Sequence, residues 1–279
     1  MIKFKVFFTF LAIIWLCLCG AGSIYAFFAT GNVAWMGVAV NALALPIWLL
    51  ARQIRSTEIA PDLRESPAFA GVLIGLGVAL LLDTKKGMAV YLAIYNLFVF
   101  LLYLYHLSAI RHPSMVAVNS RFPQLQLADS QAWDAADNEG DCGGFLLLFL
   151  RGSFCAESRW QLWQLLAAHE KLSRSSVRPV LISMESRAQW LEYFRRTQSA
   201  DIPDSWLFLE LNGSAESNEL FIANSGAPLL CWHQKKAAVR PSAWLLDTEG
   251  YVVWRHLPAN YRDPGSITLI ADQLYRLEE

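Results

Sequence analysis

The sequence predicts an α/β domain built on a mixed sheet with flanking helices, carried behind an α-helical transmembrane bundle of four helices. Three observations lead there. The 279 residues are 55% hydrophobic and only 17% charged, with a mean hydropathy of +0.32, whereas a soluble chain carries about a quarter charged residues. No charged residue occurs between Val6 and Arg52. Further on, the apolar run Phe145 to Leu150 stops at Arg151-Gly152, and from Ser158 onward Trp160, Leu162, Trp163, Leu165 and Leu166 recur at the spacing of one helix face.

The first 112 residues make the membrane part. Spans are expected near 6–28, 33–50, 67–82 and 88–107: the first two approach the ~20 apolar residues that cross a ~30 Å hydrocarbon layer, 67–82 is brief for a span but uncharged, and 88–107 supplies a fourth helix. Basic residues set the orientation. With the N-terminus inside, Lys3, Lys5, Arg52, Arg55, Arg64, Arg111 and Arg121 fall on the inner side, and only Lys85 and Lys86 fall outside. The expectation is an integral protein of the bacterial inner (cytoplasmic) membrane with its C-terminal domain in the cytoplasm. An alternative keeps the same side: Met1 to Ala29 acts as a cleaved signal peptide, leaving three spans. Gly71 and Gly75, continued by Gly77, form a small-xxx-small pattern that suits helix packing inside the bundle. Asn41 and Asn96 suit interhelical hydrogen bonds, His106 lies near the interface, and no acidic cluster marks an ion path.

Composition changes after His112-Pro113, and residues 113–279 form the second domain. Val118 to Asp129 reads as a loop and an alternating strand, and Ser130 to Gly144 as an exposed loop rich in Asp, Asn, Glu and Gly. Phe145 to Leu150 is a buried strand, too short for a helix. Val177 to Ser183 is a second buried strand, Arg187 to Arg196 a helix, and Trp206 to Glu210 a short strand or edge element. Ala243 to Leu246 and Tyr251 to Arg255 form a hairpin whose turn ends in Gly250. Ser266 to Leu277 places Ile267, Leu269, Ile270, Leu274 and Leu277 on one helix face.

The chemistry centres on Cys155, in the turn between the buried strand and the first long helix. Unpaired backbone N–H groups and the helix dipole favour a thiolate there, and Arg151 adds a positive charge, so the sequence predicts a lowered pKa and a nucleophilic sulfur. The five cysteines, Cys17, Cys19, Cys142, Cys155 and Cys231, show neither a disulfide framework nor metal-ligand spacing. No cofactor and no metal is expected, and a net charge of −1 gives no argument for nucleic acid. Cys142 and Cys231 read as inert packed residues or as resolving thiols. Trp160, Trp163 and Leu166 read as core. His169 and His233 read as isolated surface or hydrogen-bonded residues. Arg240 and Arg255 bear on the sulfur only if the fold brings them to it.

Four segments in order carry a family resemblance: Arg121-Phe122-Pro123 with Leu127 and Asp129, FLRGSFC, RPSAWLLDTEG and HLPANYRDPGS. Together they resemble the alkyl hydroperoxide reductase/thiol-specific antioxidant (AhpC/TSA, peroxiredoxin-like) group of the thioredoxin superfamily, over roughly Met115 to Leu277. The resemblance implies a thioredoxin-like fold. It makes Cys155 the reactive, peroxidatic-type cysteine, and Pro241 the proline that usually follows a cis peptide bond and faces the sulfur. It also implies departures. Typical peroxiredoxins have Thr three residues before the cysteine and Pro further upstream, where this chain has Gly152 and Leu148. Ser158 stands where C-x-x-C relatives have their second cysteine, which excludes dithiol exchange within that motif. The expected function is a membrane-anchored thiol oxidoreductase acting on a peroxide or disulfide through one sulfur, with Cys155, Pro241 and Arg151 as site residues. Glutathione or a thioredoxin-like protein would serve as reductant. The alternative is a non-catalytic membrane protein whose degenerate thioredoxin-like domain binds a partner.

Overall fold

The computed structural model describes residues 2–54, 65–83, 87–107, 109–137, 142–174, 176–198, 202–224, 237–260 and 265–277. The chain divides into two compact units, Met1–Ala109 and Ile110–Glu279.

The first unit holds α1 (Ile2–Thr30), α2 (Ala34–Ile54), α3 (Ser66–Leu82) and α4 (Met88–Leu102), the last continued by a wider helical turn at Tyr103–Leu107. Three segments, Phe8–Thr30, Ala34–Ile54 and Met88–Leu107, are long and apolar enough to cross a membrane. The 17-residue α3 falls short of that length, so the structure supports three of the four expected spans. Helices α2 and α3 meet backbone to backbone. A Cβ added to Gly37 would lie 2.7 Å from both Ala79 N and Gly75 O, an approach only glycine permits. Gly71 faces Ala44, while Gly77 faces open space. The buried asparagines bond between helices. Asn41 Nδ2 donates to Val72 O (2.8 Å), and Asn96 Oδ1 accepts from the Trp15 indole (3.0 Å). Where α2 ends and α3 begins, Arg52 and Glu65 form a buried ion pair at 3.5 Å.

The second unit is built on a five-stranded sheet. After two short paired strands, β1 (Leu125–Gln126) and β2 (Ala132–Trp133), come β3 (Gly144–Phe149), α5 (Ala156–Ala167), α6 (His169–Arg174), β4 (Val177–Ser183), α7 (Arg187–Gln198) and β5 (Leu207–Glu210). A 3₁₀ turn (Glu216–Phe221), the paired strands β6 (Ile222–Asn224) and β7 (Ala237–Val239), β8 (Ser242–Leu246), β9 (Val252–His256), α8 (Ile267–Ala271) and a final 3₁₀ turn (Leu274–Leu277) follow. The sheet order is β5-β4-β3-β8-β9. Strands β3, β4 and β5 are parallel, and β8 and β9 are each antiparallel to their inner neighbour.

Strand β3 is the middle strand and is buried on both faces, which explains its unbroken apolar run. Leu146, Leu148 and Leu150 join Leu162, Leu165, Trp190 and Ile270 in one core; Phe145, Leu147 and Phe149 join Phe122, Trp133, Phe221 and Trp244 in the other. Full burial of each such side chain stabilises by about 1.5–3 kcal/mol. Pro179 fits in β4 because β5 pairs only from Val180 onward, leaving a one-sided position where a missing N–H is tolerated. The β8–β9 turn closes with Gly250 at φ +83°, and Asp247 Oδ1 accepts from the N–H groups of Glu249 and Tyr251.

Three expectations change. The segment 130–144 is not only an exposed loop, because Trp133 and Ala135 are buried in the second core. The C-terminal helix spans only Ile267–Ala271, and Leu269 points outward. On α5, Trp160 is buried but Trp163 is 37% exposed. About 100° per residue puts position 163 at the margin of the face that Leu162 and Leu165 define.

Candidate thiol site

Cys155 is the N-cap of α5, with φ −93° and ψ 117°, at the exit of β3. Its carbonyl accepts the first helical bond, from Arg159 N (3.1 Å). The turn before it depends on Gly152, whose φ of +146° lies where L side chains rarely go. Glu185, just past β4, braces that turn: its Oε2 accepts from Ser153 N at 2.6 Å, and the carboxylate is itself 4% exposed. Ser158, 3% exposed, closes the other side by accepting Arg151 N–H at its hydroxyl (3.0 Å). The residue that stands in place of a second cysteine thus holds the turn in shape.

Cys155 is 5% exposed, and its sulfur lies between a cation and a carboxylate. Arg151 Nη1 donates to Sγ at 3.6 Å, and the thiol donates to Glu157 Oε2 at 3.3 Å. Arg151 is itself buried, and its guanidinium lies 5.6 Å from the centre of the Phe154 ring. Behind it Arg159, also buried, donates to Ser153 O and stacks over Tyr193 of α7.

The direction of the pKa overturns the expected activation. Burial pushes the Cys155 thiol up from 9.0. The Arg151 charge and hydrogen bonding from Ser158 pull it down, the Glu157 charge raises it further, and burial wins. The resting sulfur at neutral pH is therefore the thiol. Because the folded state disfavours the thiolate, the stability from this group is fully present below the unfolded pKa of 9.0 and is lost as pH rises through the higher folded value. Cys155→Ala is expected to flatten that alkaline loss in an unfolding titration of the full chain.

Pro241 immediately precedes β8, beside the end of β3, since Ser242 pairs with Phe149. That is the sheet end from which the Cys155 turn leaves. The Arg240–Pro241 bond is trans, however, so the expected cis proline is corrected. Neither distal arginine is among the charges acting on Cys155, which are Arg151 and Glu157. Arg255 Nη1 donates to the carbonyls of Met115 and Val116 and its guanidinium lies over Trp244, and Arg240 Nη1 donates to Arg111 O (2.9 Å). Cys142 packs against the second core just before β3. A six-residue strand, roughly 16 Å at about 3.3 Å per residue, separates it from the Cys155 end, beyond the ~7 Å Cα limit for a disulfide. Cys231 and His233 lie outside the described residues. His169 accepts from the Trp206 indole (3.2 Å), the hydrogen-bonded role expected of it. Among the described residues no group of three His, Cys, Asp or Glu side chains converges as metal ligands. Glu157 and Glu185 were missed by pattern reading. Glu185 did carry a signal, a carboxylate two residues beyond a mostly buried strand.

The mixed sheet, its flanking helices and the cysteine at the first helix start define a thioredoxin-like fold for Ile110–Glu279. Similar solved structures include a peroxiredoxin 6 of Arenicola marina (12% identity, 59% of this chain and 74% of that one, TM-score 0.45). They also include reduced Prx3 from Vibrio vulnificus (16%, 59% and 100%, 0.43) and Mycobacterium bovis AhpC (11%, 60% and 100%, 0.42). No family model and no curated protein matches the chain.

Proposed function

We propose that this chain is a membrane-attached thiol oxidoreductase that reduces a peroxide, or exchanges a disulfide, through the single sulfur of Cys155. The supporting observation is that two features which stabilise a thiolate meet at one atom: Sγ sits at the start of α5 and receives the Arg151 guanidinium. In this reading α3 joins the other three helices as a fourth span, residues 1–112 anchor the domain, and residues 113–279 face the cytoplasm. Ser158 offers no second sulfur and Cys142 lies at the far end of β3. Regeneration then falls to another thiol: Cys231, which lies outside the described residues, glutathione or a thioredoxin-like protein. A second reading draws on the burial of Cys155 and its raised pKa, which suit a degenerate domain that binds a partner.

Peroxide treatment of the full chain in detergent micelles separates the two. Dimedone trapping followed by peptide mass spectrometry is expected to find a sulfenic acid at Cys155, absent in Cys155→Ser. A chain in which Cys142 or Cys231 is oxidised while Cys155 stays unmodified would instead remove peroxide chemistry from Cys155 and favour the partner-binding reading.

A further inference from the structure

We infer that Glu157 is the proton acceptor for Cys155, taking the Sγ proton as the sulfur attacks a peroxide. This rests on the oxidoreductase reading above and names the base which that reading needs.

A protonated sulfur is a poor nucleophile, and burial holds Cys155 in that form. Something must remove the proton inside the site. The thiol already donates to Glu157 Oε2 at 3.3 Å, within reach for transfer as the two groups tighten. The other groups that face the site cannot serve. Arg151 and Arg159 carry guanidinium groups, which donate and have no acceptor, and the Ser158 hydroxyl oxygen accepts from Arg151 N–H. Glu185 is turned to Ser153 N, and Tyr193 of α7 lies over Arg159. Glu157 is also less buried than Arg151 and Ser158. It touches both the sulfur and solvent, as a residue that collects and returns a proton should.

The step balances. Sγ attacks the distal oxygen of R–O–O–H, the S–O bond forms, the O–O bond breaks, and Glu157 receives the thiol proton. The leaving RO⁻ then takes that proton, giving R–OH and Cys155 sulfenic acid. Sulfur is oxidised by two electrons and the peroxide is reduced by two. Arg151 stays beside the sulfur and stabilises the negative charge that develops there.

Base catalysis and simple electrostatics predict opposite signs for Glu157→Gln. Removing a negative charge beside Sγ lowers the thiol pKa and should speed oxidation, whereas removing a base should slow it. The experiment follows hydrogen peroxide oxidation of Cys155 in the full chain by dimedone trapping between pH 5 and pH 10. Wild type, Glu157→Gln and Glu157→Asp are compared. At pH 6 the glutamine variant is expected to react about a hundredfold more slowly than wild type, and the two should converge once solvent hydroxide makes the thiolate. The aspartate variant should recover part of the loss. A glutamine variant that matches or exceeds wild type at pH 6 overturns the assignment, as does slowing by one constant factor at every pH, which a merely structural role would give. Wild-type Cys155 that forms no sulfenic acid at any pH overturns peroxide reduction by this site and this inference with it.

Discussion

Gly152→Thr is expected to destabilise the thioredoxin-like unit by about 2–6 kcal/mol and to leave Cys155 no more reactive toward peroxide. The substitution would introduce the threonine that the sequence resemblance places three residues before the cysteine, so a purely sequence-based argument expects a gain. The structure argues the reverse. Gly152 sits at φ +146°, a region that costs a non-glycine residue about 1–3 kcal/mol and that is least tolerant of β-branched side chains. A Cβ there would lie 2.7 Å from the Phe154 ring and 3.1 Å from Glu185 Oε1, adding about 1–3 kcal/mol of overpacking. Relief would move Phe154 off Arg151, or pull Glu185 from Ser153 N. Either movement loosens the turn that holds the sulfur. The measurement is the shift in urea midpoint of the full chain in micelles, with dimedone labelling of Cys155 alongside. An unshifted midpoint with faster labelling would mean that the turn can adopt the peroxiredoxin backbone.

How far the sequence reached depends on whether a feature is set locally. Strand β3 was readable because a strand buried on both faces favours apolar residues throughout, and β4 because of its run Pro179–Ile182, although the observed strand, Val177–Ser183, also holds the partly buried Arg178 and a buried Ser183 that accepts from the Trp190 indole. The helix start at Cys155 was readable for the same kind of reason, since the turn chemistry of Arg151-Gly152 ends one period and Ser158 begins another. The thiol's pKa was not. Adjacency to Arg151 is local and points downward, but the burial that outweighs it is a property of the folded chain. Glu157 and Glu185 escaped notice because a carboxylate in a helical or loop pattern reads as solvated surface. Only the fold brings Glu185 across from the end of β4 to Ser153 N. The trans bond at Pro241 belongs to the same class, because an X–Pro pair permits both isomers and tertiary context selects one. The paired strands β6 and β7, three residues each, were too short to carry any period.

In the helical unit the sharpest expectation is a contrast between two glycines only two positions apart. Gly75→Val should separate α2 from α3, while Gly77→Val should leave their packing intact. A Cβ on Gly75 would lie 2.5 Å from Asn41 N and 2.5 Å from Gly37 O, and 2.7 Å from Asn41 Cβ. Two of those three atoms are helix backbone, which cannot turn aside as a side-chain tip would. The helices must move apart, and the movement strains the bond from Asn41 Nδ2 to Val72 O one turn away. Overpacking of this kind costs about 1–3 kcal/mol or more, and a bond between helices in lipid adds about 0.6 kcal/mol. Gly77 has no neighbouring atom within 4 Å of an added Cβ, so its substitution carries no such clash. Cysteine pairs placed across α2 and α3 outside the contact, cross-linked in native-like bilayers, report the separation directly. Equal cross-linking in wild type, Gly75→Val and Gly77→Val would mean that the glycine contact does not hold these helices together. Loss in Gly75→Val alone would show that the small-residue pattern read from sequence works within one bundle. Loss in both variants would point instead to general intolerance of β-branched residues in α3, the weaker explanation for a helix that already contains Val72 and Val78.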